Sequence, residues 1–202
     1  MNAGRFLLAR HAETVFNAGA RMQGNHAHTP LTRAGIAQAE RMGATLAGHL
    51  RGETIEIWAS PAGRTLQTAA IIAEHLGRDF FEIRTDPRLF EIDVGDWAGR
   101  RYADIVAAQG EILCPDRHVF TARPPAGEWY PAVASRLQDW LGDLDPAGTF
   151  LVVTHGVTLR VLVGLLAGGE PFENVTLAAA TPQGSVVDIE NGAMRAGLSR
   201  RG

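Results

Sequence analysis

Two hydrophobic rhythms alternate along the chain. Residues 5–9, RFLLA, carry an unbroken apolar run after Arg5, the pattern of a strand covered on both faces. Residues 32–50 change to helical spacing, with Ile36, Ala39, Met42, Gly43, Leu46 and Leu50 on one side. TIEIWA at 54–59 predicts a second strand. Ser60 and Pro61 then predict a helix start, Ser as the cap and Pro in the first turn. That helix runs to Leu76 and stops at Gly77. Residues 80–84 read as a third strand, 86–99 as irregular, 101–109 as a helix, and 129–143 as another helix after a proline-bearing loop. TFLVVT, 149–154, is the most hydrophobic strand, followed by an apolar helix over 157–167 and, within 174–192, two short strands around a turn. Strands alternating with helices predict the α/β class: three layers, α/β/α, around a largely parallel central sheet, in one domain spanning 1–202.

Composition narrows the function. Hydrophobic residues make up 46% of the 202, enough for a real core. The formal charge of −3 argues against a nucleic-acid partner, which would need a basic face. No lysine occurs, so every cationic side chain apart from histidine is arginine. Cys114 is the only cysteine, which excludes an intramolecular disulfide and a cysteine-rich metal site. The apolar run near the N-terminus is too short for a signal peptide, and no stretch approaches the length of a membrane span. The expectation is a cytoplasmic protein with no membrane partner. A homodimer is the expected assembly, dimers being the commonest.

Candidate chemistry gathers at the strand ends. In open α/β sheets ligands bind outside the carboxyl ends of the strands. After 5–9 come Arg10 and His11; after 54–59 comes Ser60, with Arg64 just beyond; after 149–153 come Thr154 and His155, then Gly156 opening a helix. If these strands are parallel neighbours, two arginines and two histidines share one crevice with anion-binding helix N-termini. A neutral imidazole is a competent nucleophile at phosphorus. Two arginines and a protonated histidine can neutralise a transferring phosphoryl group. A carboxylic acid is still needed for the departing alkoxide, and RLFEIDVGDWAGR, 88–100, offers Glu91, Asp93 and Asp96. Such a site calls for no metal and no cofactor.

Five motifs in order resemble the histidine phosphatase superfamily, in its phosphoglycerate-mutase-like branch. ARHAETVFN is similar to the Arg-His-Gly signature with its downstream Asn, and MQGNHAHTPLTRAGIAQAERMG to the segment after it. SPAGRTLQTA resembles the second arginine motif, EIDVGDWAG the Glu-x-x-x-Gly-x-Trp-x-Gly motif, and VVTHGVTLR the second histidine motif. The resemblance implies the phosphoglycerate mutase-like fold and His11 as nucleophile. It implies that Arg10, Arg64 and His155 hold phosphoryl oxygens, that Glu91 is the acid/base, and that Asn17 and Gln23 add hydrogen bonds to phosphate or substrate. Ala12 stands where the family has Gly, which is tolerable at negative φ. PPAGEW, 124–129, departs from the usual Pro-Pro-Gly-Gly-Glu-Ser.

The expected partner is a small-molecule phosphomonoester, hydrolysed through a phosphohistidine. Two alternatives stand beside this. One is a 2,3-bisphosphoglycerate-dependent phosphoglycerate mutase; the other is a non-catalytic phospho-ligand-binding protein. Gly95, Trp97 and Gly99 are expected to shape their loop, and His26 and His28 to be exposed loop residues rather than metal ligands. Arg21, Arg100 and Arg101 are candidates for a second anionic group on the substrate, although a solvated surface is the simpler reading of each. The tail RAGLSRRG reads as a frayed basic terminus.

Overall fold

In the computed structural model, the described residues are 4–195 and Leu198. In chain order they form β1 (Arg5–Arg10), α1 (Val15–Ala18), α2 (Arg33–His49), β2 (Glu56–Ala59), α3 (Gly63–His75), β3 (Arg84–Thr85) and α4 (Tyr102–Gln109). There follow β4 (Leu113–Cys114), β5 (Val119–Phe120), α5 (Tyr130–Gly142), β6 (Thr149–Thr154) and α6 (Gly156–Ala167). The last elements are β7 (Glu170–Phe172), β8 (Val175–Leu177), β9 (Val186–Glu190) and β10 (Ala193–Arg195). The main sheet runs β10-β9-β1-β6-β2-β3, and β1, β6, β2 and β3 are parallel.

Strand pleating divides the core in two. Phe6, Leu8, Phe150 and Val152 point to a cluster that takes in Val133 and Leu137 of α5 and Leu159 and Leu162 of α6. Leu7, Ala9, Leu151 and Val153 point the other way, against Met42 and Leu46 of α2 and Ala69 and Ile72 of α3. Alternate residues of each central strand thus meet a helical layer on either side, which is why those strands are apolar throughout. Three layers result, as the sequence predicts.

Four local expectations are corrected. Ser60 does not cap α3: the cap is Ala62, without a side-chain hydrogen bond, and the helix begins at Gly63. The Ser60 hydroxyl is engaged instead by His155. Residues 80–82 form a 3-10 turn, closed by Asp79 and Glu82 in a reciprocal capping box, so only Arg84–Thr85 joins the sheet. The loop between α4 and α5 contains a small hairpin, β4 with β5. Finally, β8 and β9 do not pair with each other: β8 pairs with β7, while β9 lies antiparallel to β1. In the tail, only Arg195 and Leu198 fall among the described residues. Among the described residues, no helix is long and apolar enough to cross a membrane.

Candidate active site

Parallel register places the strand ends together. Arg10 lies opposite Thr154, and Ala59 opposite Val153. The His11 N–H donates to the Thr154 carbonyl (2.9 Å) and the Ser60 N–H to the Val153 carbonyl (3.0 Å), so all three exits leave one edge of the sheet. A cavity of about 700 Å³ opens there, with Arg10, His11, Arg64, Glu91 and Gly156 in its lining.

His11 is buried, and its Nδ1 lies 2.8 Å from the Ala12 carbonyl. A carbonyl only accepts, so Nδ1 carries the hydrogen and Nε2 keeps its lone pair. Burial, then the charge of Arg64, holds its pKa down to about 3. The ring is therefore neutral at ordinary pH. Ala12 keeps a backbone free of positive φ, and its N–H donates to Thr68 Oγ1 at 3.2 Å. The substitution of Gly by Ala is accommodated.

Arg64 enters from the first turn of α3 and is fully buried. Its Nη2 donates to the Gly24 carbonyl (2.7 Å), and its Nη1 to the His26 carbonyl (2.6 Å) and Thr29 Oγ1 (3.2 Å). Its Nε donates to His155 Nδ1 at 3.1 Å. Burial lowers its pKa to about 10, still far above neutrality. His155 Nδ1 is thus an acceptor, and its Nε2 hydrogen goes to Ser60 Oγ at 2.8 Å. Burial and the Arg64 charge hold its pKa well below 6.5. The expectation of a protonated second histidine is corrected: a guanidinium already occupies the position where a proton would repel it. His155 lies beneath the cavity, not in its lining, 5.3 Å from His11 between ring centroids.

Arg10 Nη1 donates to the Thr181 carbonyl (2.7 Å), while its buried Nε has no partner among the described residues. Buried donors rarely stay unpaired, so an orphan beside a cavity marks a place for an acceptor. Gly156 permits this placement, since a Cβ there would come within 3.2 Å of Arg10 Nη2.

Glu91 caps α6 from a distant segment. The N–H groups of Val157 and Thr158 donate to its carboxylate oxygens at 3.1 and 3.0 Å, and Ile92 N–H adds a third bond at 3.0 Å. The helix has no side-chain cap of its own, and a carboxylate suits the positive end of its dipole. Thr158 Oγ1 and Thr154 Oγ1 latch the same loop through the carbonyls of Phe90 (2.7 Å) and Leu89 (2.9 Å). Behind it, Gly95 (φ +46) leaves no room for a side chain, because a Cβ would meet the Pro125 carbonyl at 2.1 Å. Asp93 accepts from Gly95 N–H at 2.9 Å, and neither Asp93 nor Asp96 lines the cavity.

Asn17 and Gln23 both line the cavity. Asn17 Oδ1 accepts from Thr14 N–H (3.1 Å), closing the cap of α1, and Gln23 Oε1 accepts from the Thr14 hydroxyl (2.9 Å). Arg21 lines the cavity too, whereas Arg100 and Arg101 do not. The His26 ring packs 5.3 Å from Phe16. Among the described residues, no three His, Cys, Asp or Glu side chains cluster as a metal site would require. Thr68, Tyr102, Thr158 and Arg160 escaped the sequence reading, and Ser60 entered it as a helix cap at a strand end, not as a partner of His155. Only their places in the fold distinguish them from ordinary hydroxyls and helix residues.

Comparison with known proteins places the chain in a family. Residues 6–198 match the family model of the histidine phosphatase superfamily, branch 1. A protein of Cronobacter sakazakii named probable phosphoglycerate mutase GpmB is 36% identical over 80% of this chain and 74% of its own length. Its namesake in Proteus mirabilis is 33% identical over 91% and 84%. Among solved structures, Bacillus stearothermophilus YhfR superposes with a TM-score of 0.75 at 28% identity, covering 97% of this chain and 96% of that one. Mycobacterial glucosyl-3-phosphoglycerate phosphatase in complex with VO3 gives 0.74 at 27%, covering 96% of each chain. The alpha-ribazole phosphatase of Shigella flexneri gives 0.70 at 26%, covering 94% and 93%. With its strand ends, paired histidines and family match in agreement, the chain belongs to the histidine phosphatase superfamily, branch 1, as an enzyme of the phosphatase type.

Proposed function

We propose that the protein is a metal-independent phosphomonoesterase that hydrolyses a small phosphorylated metabolite in the cytoplasm through a phosphohistidine on His11. One observation carries this reading. His11, its proton committed to Nδ1, lines the same cavity as Arg10, whose buried Nε lacks an acceptor among the described residues. A lone pair for phosphorus and a donor for a phosphoryl oxygen stand together.

In the first step His11 Nε2 forms a bond to phosphorus as the bond to the alcohol oxygen breaks, and Glu91 gives that oxygen a proton. In the second, Glu91 takes a proton from water, the water oxygen bonds to phosphorus, and the N–P bond breaks. Free phosphate leaves and Glu91 has recovered its proton. Arg10, Arg64 and the N-terminus of α6 offset the charge on the equatorial oxygens, while His155 holds Arg64 in place.

The test is phosphate release from p-nitrophenyl phosphate in EDTA, by wild type and His11→Ala. Turnover in chelator that the substitution abolishes supports the reading, and unchanged turnover in the variant refutes His11 as nucleophile. The names of the curated relatives favour a second reading, transfer of the phosphoryl group between hydroxyls of a phosphoglycerate. Isomerisation of 3-phosphoglycerate only on addition of 2,3-bisphosphoglycerate would establish it in place of hydrolysis.

A further inference from the structure

Arg160 is an arginine for which the mechanism has no use. It lies on α6, only 7% exposed, in the lining of the catalytic cavity. Its Nε donates to the Ala178 carbonyl (2.8 Å) and its Nη1 to the His118 carbonyl (2.7 Å). Among the described residues its Nη2 makes no hydrogen bond, and no carboxylate lies within ion-pair distance of it. Glu170, the carboxylate that influences it electrostatically, is engaged by Arg117 at 3.4 Å. A buried cation ordinarily has a counter-ion, and this one has only neutral carbonyls.

Its surroundings reinforce the point. His118, which accepts from Arg160, has φ +49, a left-handed backbone uncommon for any residue but glycine. The tight turn between β4 and β5, closed by the His118 N–H on the Cys114 carbonyl at 2.8 Å, sets this conformation and with it the direction of the His118 carbonyl. His118 lines the cavity, and a second hollow of about 260 Å³ shares His118, Arg160 and Ala180 with the first. Asp116 and Glu170 lie in the lining of that smaller hollow, not of the main one. Four guanidinium groups, from Arg10, Arg21, Arg64 and Arg160, line the main cavity against one carboxylate, Glu91. With Glu91 protonated, as the proposed first step requires, a phosphate dianion offsets two of them. Positive charge is left over, and Arg160, although buried, has no carboxylate partner of its own among the described residues.

We infer that Arg160 is a second anion site in the catalytic cavity, and that the natural substrate carries a carboxylate or second phosphate which this guanidinium receives. The inference rests on the phosphatase reading for the place of the first phosphate. Arg160 here replaces Arg100 and Arg101, which lie outside the lining. The planar fork of arginine suits either anion.

Calorimetric binding in a His11→Ala background tests it without turnover. Two matched pairs are compared: 3-phosphoglycerate with glycerol 1-phosphate, and 1,3-propanediol bisphosphate with its monophosphate. The expected result is at least tenfold tighter binding of the doubly anionic member in one pair, and that pair identifies the second group. Adding Arg160→Gln should bring the ratio to within twofold. Arg160→Lys, which keeps the charge, should retain part of it and serves if the Gln variant does not fold. Because each ratio is taken on one protein, general loosening cancels. No preference in either pair, no binding of any member, or a preference that survives Arg160→Gln would each overturn the inference. Wild type unable to hydrolyse p-nitrophenyl phosphate would refute the catalytic reading, while the binding ratios would still decide this one.

Discussion

Arg64 Nε and His155 Nδ1 share a hydrogen bond of 3.1 Å, and that bond sets the state of the second histidine. It leaves the imidazole neutral and directs its one N–H to Ser60 Oγ, 2.8 Å away. Ser60, His155 and Arg64 form a relay that holds a guanidinium in the lining of the cavity.

Ser60→Ala should free His155 to turn and loosen Arg64. A buried neutral hydrogen bond contributes about 0.5–1.5 kcal/mol, so kcat/KM should fall by roughly two- to tenfold. Steady-state kinetics on p-nitrophenyl phosphate check this. A loss of a thousandfold would mean that Ser60 takes part in the chemistry itself.

Glu91→Gln keeps an acceptor for the N-terminus of α6 but can neither protonate an alkoxide nor activate water. General acid–base catalysis is worth about 10²–10⁴-fold. Alkyl phosphates should lose about that much, and p-nitrophenol, a good leaving group, should depart readily in the first step. Rapid mixing should then show a burst of about one p-nitrophenol per enzyme followed by slow turnover. Equal loss with both substrates and no burst would remove Glu91 from the acid/base role.

The buried histidines make stability depend on pH. His11 titrates near 3 in the folded chain, through burial and the Arg64 charge, against 6.5 when solvated. Between those values the unfolded chain binds more protons, so stability is full above about pH 6.5 and is lost as pH falls toward 3. At pH 5 His11 alone should remove about 2 kcal/mol, at about 1.4 per pH unit. Urea unfolding at pH 7.5 and 5.0 should show a smaller loss for His11→Gln than for wild type. Equal losses would show that His11 is solvated.

Ala126, in the PPAGEW loop, has φ +58 where the family pattern has glycine. A left-handed backbone costs an L-residue about 1–2 kcal/mol, part of which glycine gives back through its freer unfolded chain. Ala126→Gly should therefore stabilise by about 0.5–1 kcal/mol in urea. A destabilised variant would show that the loop is not held in this conformation.

Gly156→Ala tests the support of Arg10. The new methyl carbon would stand 3.2 Å from Nη2 and 3.3 Å from Cζ, and the flexible guanidinium is the partner that must yield. The fold should survive while KM for p-nitrophenyl phosphate rises several-fold. An unchanged KM would place Arg10 away from the phosphate.

Most elements were legible because their signals are local. The runs FLLA and FLVV are apolar at every position, as only a strand covered on both faces requires, and α2 shows its buried side at helical spacing. The errors fall where a distant partner overrides a local preference. Ser60 reads as a cap by type, but a histidine 95 residues away takes its hydroxyl. Phe80 to Ile83 have strand-forming side chains, yet the carboxylates of Asp79 and Glu82 close a turn around them.

The sequence by itself determined the α/β alternation, the succession of the main strands along the chain and the residues that stand at their ends. Those features depend on periodicity and on neighbours a few positions away. Tertiary structure decided the rest. The parallel register of β1, β6 and β2 brings His11, Ser60 and His155 to one edge. Glu91 was legible as a carboxylate, but its bond to the first turn of α6 spans 67 residues. Arg160 looks like any residue of an apolar helix until the fold removes it from water without supplying a counter-ion among the described residues. Charge balance and hydrogen-bond satisfaction in a buried site are properties of the assembled chain, and no stretch of sequence contains them.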